Sequence, residues 1–139
     1  YEYFLHQRRD PFKVGASYFY VKQLDLDKMN AAAKKLVGEQ DFQSFSKVKT
    51  EVNNFICNIK SAEWKIDNDS LVFCITANRF LRGMIRALVG TLLEVGSGNI
   101  SFDDFQKVID AKDRTKAGRA VPPDGLFLTA VQYPVELYI

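Results

Sequence analysis

Histidine is almost missing from this 139-residue chain: His6 stands alone, and the two cysteines, Cys57 and Cys74, have no second cysteine or histidine at ligand spacing. That excludes an ordinary zinc site, whose donors come in close pairs along the sequence. No zinc site is expected. Two cysteines set in strand-like segments read as reduced, buried thiols of a cytoplasmic protein. No run reaches the about 18 consecutive apolar residues of a membrane-spanning helix, and no signal peptide opens the sequence. A Gly-rich phosphate loop, a Gly-X-Ser-X-Gly elbow and a cysteine paired with a placed histidine are all missing, so the sequence shows no nucleophilic machinery of its own. Net charge is small, +2 at pH 7, and a nucleic-acid partner would have to be gripped by local basic patches. Nor is there a starting Met, and Tyr1 reads as part of a strand, so a piece of something longer is expected.

What is present is 47% hydrophobic, 13% aromatic and 26% charged residues, enough to bury the core of one domain over residues 1–139. Tyr1 to His6 is an aromatic-rich strand, and Gln7 to Gly15, with Arg8, Arg9 and Lys13, a basic loop. Ser17 to Val21 is a short extended piece. A helix is predicted from Leu26 to Val37, with Asp25 as N-cap and Gly38 at the C′ position. Glu39 to Lys47 reads as one helical turn leading into a loop. Strands follow over Phe55–Ile66 and Ser70–Thr76, joined as an antiparallel hairpin by Asp67-Asn68-Asp69. The apolar run Leu71 to Ile75 marks the second as central or covered on both faces.

The longest helix is predicted from Arg79 to Val95, with Phe80, Leu81, Met84, Ile85, Leu88, Val89, Leu92 and Leu93 as its apolar stripe. A third, Phe102 to Ala111, has Ser101 as N-cap and Asp103 and Asp104 in its first turn. Lys112 to Gly125 should be a long loop, and Leu126 to Tyr133 a closing strand. The fold class that follows is α+β: a mainly antiparallel sheet with two or three helices packed on one face.

On a helix, Arg79, Arg82 and Arg86 would fall within about 60° of one another, opposite the apolar stripe. Gly83 and Gly90 flank that face, and glycine inside a helix costs about 1 kcal/mol relative to alanine. Two of them suggest that something approaches the backbone closely, either a phosphate backbone or another protein segment. A solvated arginine face is the plain alternative. A second basic concentration, Lys107, Lys112, Arg114, Lys116 and Arg119, is either a phosphate track or solubilising surface.

The run from Ala77-Asn78-Arg79-Phe80-Leu81-Arg82-Gly83 through Arg86 to Gly96 resembles the signature helix of the TruA family of tRNA pseudouridine synthases. Tyr1-Glu2-Tyr3, Gly38 to Phe45, Ala111 to Gly118, Pro123 to Leu126 and Val131 to Pro134 agree in order and spacing. The resemblance covers nearly the whole sequence and maps it onto the C-terminal half of such enzymes. It implies detachment of a uracil from its ribose and reattachment through C5, with no cofactor, on a base flipped out of the tRNA anticodon arm. It also implies a homodimer. The family's nucleophile is an aspartate in an Arg-Thr-Asp-Ala-Gly-like motif that does not occur here, so this half alone is expected to be inactive.

By the same resemblance Arg86 would clamp the catalytic carboxylate, as a bidentate guanidinium can, and Tyr1 would be the active-site tyrosine. Asn78, Arg114 and Leu126 would line the cleft, the basic segments offer Arg79, Arg82 and Lys116 for RNA contact, and Phe42 and Phe45 read as core. A non-catalytic RNA-binding module of the same fold, or a protein-interaction domain using the Gly83/Gly90 face, are the alternatives.

Overall fold

The turn at Asn68-Asp69 organises the sheet. In the computed structural model, which describes residues 1–13, 15–48 and 52–129, it joins β4 (Ile56–Asp67) to β5 (Ser70–Ala77) with Asn68 at φ 54°. An asparagine tolerates that left-handed backbone better than most side chains, and such turns match the right-handed twist of paired strands. On the far side of β5 lies β1 (Glu2–His6), antiparallel to it, with Tyr3 opposite Phe73. The outer edge of β1 is shared between β2 (Tyr18–Phe19), which runs parallel beside Leu5 and His6, and β6 (Leu126–Phe127), antiparallel beside Glu2 and Tyr3. The remaining strand, β3 (Gly38–Asp41), pairs antiparallel with Ile56–Ile59 of β4. The strand order is therefore β2-β1-β5-β4-β3, with β6 also on β1. The apolar β5 is central, as its composition indicates.

Tyr3, Leu5, Cys57, Ile59, Trp64, Phe73 and Ile75 share one core with residues of α1 (Leu26–Lys34), α2 (Met84–Gly96) and α3 (Phe102–Ala111). Burying a large apolar side chain of this kind contributes roughly 1.5–3 kcal/mol. The other face of the sheet carries exposed Lys60, Glu63, Lys65 and Thr76, and none of the three α-helices among the described residues shares its core with that face. This is the expected α+β arrangement. Beyond β3, which is only four residues long, the edge of β4 would be left with open backbone groups. Asn30 of α1 closes it: its side chain accepts from the Trp64 amide at 2.7 Å and donates to the Trp64 carbonyl at 3.3 Å.

The α3 helix has the expected bounds. Ser101 Oγ accepts from the Asp104 amide at 3.0 Å while the Asp104 carboxylate accepts from the Ser101 amide at 3.1 Å, a reciprocal cap. Other boundaries differ. α1 stops at Lys34, because Lys35, Leu36 and Val37 donate three residues back, to Ala32, Ala33 and Lys34. Gly38 is thus not the C′ residue; at φ 109° it turns the chain into β3. Gly38-Glu39-Gln40-Asp41 is a strand where a helical turn was expected, since its polar residues carry no alternation and the backbone ladder to β4 decides. The turn itself comes later, as a 3-10 turn over Gln43–Phe45, with Phe42 and Phe45 fully buried.

The largest correction concerns α2, which begins at Met84 and not at Arg79. Gly83 sits at φ 73°, a left-handed conformation that costs other residues strain, and this separates 79–82 from the helix. Arg79, Arg82 and Arg86 therefore form no row on one helix face. Eleven of the thirteen α2 residues are buried, the exceptions being Arg86 and Glu94, so the helix has no solvated side opposite its stripe. A Cβ built at Gly90 would run into the Arg119 carbonyl oxygen, which shows what approaches the helix: residues 117–122 of this same chain. The interval Lys112 to Gly125 contains that strap and two 3-10 turns, Arg114–Lys116 and Pro123–Gly125. Of the closing strand, Leu126 and Phe127 pair with β1, Leu128 and Thr129 do not, and 130–133 lie outside the described residues.

Candidate active-site cleft

Tyr1 extends the β1 pairing by one residue. Its amino group donates to the Ile75 carbonyl at 3.1 Å, and its carbonyl accepts from the Ile75 amide at 3.0 Å. The Tyr1 ring meets Phe80 edge-on, centroids 5.3 Å apart at 85°, a favoured aromatic geometry. Two cavities share these two rings. One, of about 400 Å³, continues past Glu2, Lys60, Cys74 and Asn78 to Leu128. The other, of about 420 Å³, is walled by Arg82, Gly83, Arg86 and Leu126. Phe80 precedes α2, which starts only after Gly83.

Arg86 lies in the first turn of α2 and is partly buried. Its Nε donates to the Val121 carbonyl at 2.7 Å, and the Val121 amide donates to the Arg86 carbonyl at 3.2 Å. The rest of the guanidinium has no hydrogen-bond or ion-pair partner among the described residues, where the ion pairs are Lys65–Glu63 and Lys107–Asp104. A guanidinium held at Nε and open at its outer nitrogens suits an incoming carboxylate or phosphate. No carboxylate of the chain fills that position among the described residues.

Tyr1, Arg82, Arg86 and Leu126 are thus gathered around one cavity, and Asn78 lines its neighbour. Asn78 is also tied into the sheet, its side chain accepting from the Asn58 amide at 2.8 Å and its amide donating to the Asn58 carbonyl at 3.0 Å. Arg79, Arg114 and Lys116 line neither cavity. Arg79 donates to Asn54 Oδ1 and to the Ile56 carbonyl, both at 3.2 Å, bracing the chain before β4. Arg114 closes on the Gly118 carbonyl at 3.0 Å, and Lys116 is exposed on the same turn.

Sequence reasoning missed several lining groups. Phe80 was counted in a helical stripe, and Glu2, Lys60 and Cys74 converge only through strand register. Cys74 is half-buried, not buried as expected, and its thiol donates to Glu2 Oε2 at 3.4 Å. Burial and then that carboxylate push the thiol pKa up, so it is a poor nucleophile. Cys57, fully buried, is pushed the same way by burial. Among the described residues no three His, Cys, Asp or Glu side chains are grouped to hold a metal ion. No helix there is long and apolar enough to cross a membrane.

A family model described as tRNA pseudouridine synthase matches residues 32–134. Among curated proteins, "tRNA pseudouridine synthase A" of Parabacteroides distasonis is 49% identical over 138 residues, which is 99% of this chain and 55% of that protein. The protein of the same name from Bacteroides fragilis is 47% identical over 99% of this chain, and that from Bacillus subtilis 40% over 96%. The chain spans about 55% of the length of each.

Proposed function

The chain belongs to the tRNA pseudouridine synthase family, and from that premise we propose that residues 1–139 form the C-terminal half of an enzyme that isomerises uridine to pseudouridine in the anticodon arm of tRNA. In this reading an aspartate supplied by the other half attacks the flipped-out nucleotide, and Arg86 holds that carboxylate ionised and oriented. The observation that carries the proposal is the state of Arg86. A cation clasped at Nε and open at its outer nitrogens shares a cavity with Tyr1 and has no carboxylate partner among the described residues.

Tyr1 would stack on the extruded uracil, and its hydroxyl would help move the C5 proton. Arg82 and Leu126 would line the same space and Asn78 the adjoining one. Arg79, Arg114 and Lys116 remain candidates for RNA contact only at its margins, since Arg79 and Arg114 already have partners within the chain. A cytoplasmic homodimer acting without metal or cofactor completes the reading.

The experiment is tritium release from 5-tritiated uridine in tRNA, comparing the full-length protein with its Arg86→Ala variant. Loss of release with tRNA binding retained is the expected result. Unchanged release would remove Arg86 from the mechanism, and binding without release by the parent protein would favour a non-catalytic RNA-binding module.

A further inference from the structure

The 117–122 strap is fastened more firmly than a surface connection requires. The Gly118 amide donates to Thr91 Oγ1 at 2.9 Å, and that hydroxyl donates to the Ala87 carbonyl at 2.8 Å. The Arg119 carbonyl occupies the space that any side chain at position 90 would need. Two residues on, the Val121 carbonyl takes Arg86 Nε at 2.7 Å, and the next carbonyl, that of Pro122, takes the Tyr3 hydroxyl, also at 2.7 Å. Pro122 and Pro123 fix their own φ angles, so neighbouring carbonyls here have little freedom to turn independently.

Tyr3 is fully buried and cannot touch an RNA base. Its phenol is raised well above the ordinary tyrosine value, chiefly by burial, with the positive charge of Arg86 acting the other way. The two side chains therefore meet the strap from opposite elements, β1 and α2, at adjacent carbonyls.

We infer that Tyr3 is a positioning residue for Arg86: its hydroxyl holds Pro122, the stiff Val121-Pro122 unit carries that constraint to the Val121 carbonyl, and this carbonyl sets the guanidinium. Thr91 anchors the other end of the strap. A long arginine side chain has many rotamers, and one held in advance gives up less freedom when it meets its carboxylate. The inference rests on the role proposed above for Arg86.

A double-substitution cycle in the full-length protein tests it, read as single-turnover tritium release at saturating tRNA. Tyr3→Phe is expected to slow release about tenfold, with the tRNA Kd within about twofold. In an Arg86→Lys background, which has no Nε–H for Val121 to hold, the same substitution should cause no further loss. Thr91→Val should repeat the pattern more weakly, and it carries the cycle if thermal melting shows Tyr3→Phe unfolded at the assay temperature. If Arg86→Lys is silent, hydrogen exchange of the Arg86 Nε–H decides, with protection expected in the parent and lost in Tyr3→Phe. Equal losses in both backgrounds, wild-type release by both variants, or unchanged Nε–H protection overturns the inference. Full release by Arg86→Ala would instead remove the role assigned to Arg86 while leaving the strap geometry intact.

Discussion

Arg79 and Arg86 stand on either side of Gly83, and the chain uses them oppositely. Arg79 spends its guanidinium inside the fold, on Asn54 and on the Ile56 carbonyl. Among the described residues Arg86 commits only Nε, to Val121, and it lines a cavity together with Tyr1. The side-chain chemistry is the same; what differs is how many acceptors the surrounding backbone brings within reach. A cation whose donors are satisfied is structural, while one left partly open beside a tyrosine and a cavity is equipped to meet an anion.

That contrast breaks or sharpens through substitution. The largest effect expected is on turnover: Arg86→Ala in the full-length protein should lower uridine isomerisation by about 10²–10³-fold, against a stability loss of only about 1 kcal/mol in urea unfolding from the donor that the Val121 carbonyl loses. A variant that keeps its rate but loses stability would reverse the contrast. Next comes Gly90→Ala, which trades about 1 kcal/mol of helix propensity against a methyl driven into the Arg119 carbonyl. Overpacking against backbone should win, for a net loss of about 2 kcal/mol in chemical unfolding. A stabilised Gly90→Ala would mean that the strap does not lie on α2. Arg79→Ala should then cost about 1 kcal/mol of stability, because the Ile56 carbonyl loses its charged donor, with tritium release within about threefold of the parent. A far greater loss of rate would make Arg79 a functional cation and erase the distinction.

The smallest effect lies at the other end of β1. His6 is buried, its Nδ1 is 2.9 Å from Ser17 Oγ, and its ring stacks on Phe19. Burial first, then the Lys13 charge, lowers its pKa, while Asp10 acts in the opposite sense. Arg9 and Asp124 line the same hollow. Because the folded value is below the unfolded one of about 6.5, the unfolded state binds the proton more readily. His6 therefore contributes stability that is present above about pH 6.5 and is lost as the pH falls towards the folded pKa. Urea midpoints at about pH 7 and pH 5 should diverge less in His6→Gln than in the parent; equal divergence would show that other groups set the acid sensitivity.

The elements legible in the sequence were those whose cause is local. The Asp67-Asn68-Asp69 turn, the apolar β5 and the Ser101 cap of α3 each follow from neighbours within a few positions. β3 was not legible, since Glu39-Gln40-Asp41 has no pattern of its own and pairs because Asn58 and Cys57 lie opposite. The start of α2 was misplaced because hydrophobic periodicity runs unbroken through Phe80 and Leu81, whereas the break is a single φ angle at Gly83. Within the cleft, Tyr1, Arg86 and Leu126 were named from resemblance and Arg82 from its basic segment, and all four line one cavity; Phe80 was read only as helical stripe, and the Val121 carbonyl was not foreseen.

By itself, then, the sequence determined the hairpin, the central strand, the capped third helix and the family, because turns, runs and motifs act over short stretches of chain. It also announced that something lies close against Gly90. Only the tertiary structure decided that this something is the chain's own strap, and that Arg79 is occupied while Arg86 stays open. Those outcomes depend on which carbonyls, from Ile56 to Val121, arrive beside each guanidinium, and backbone groups brought together from distant positions leave no trace in residue order.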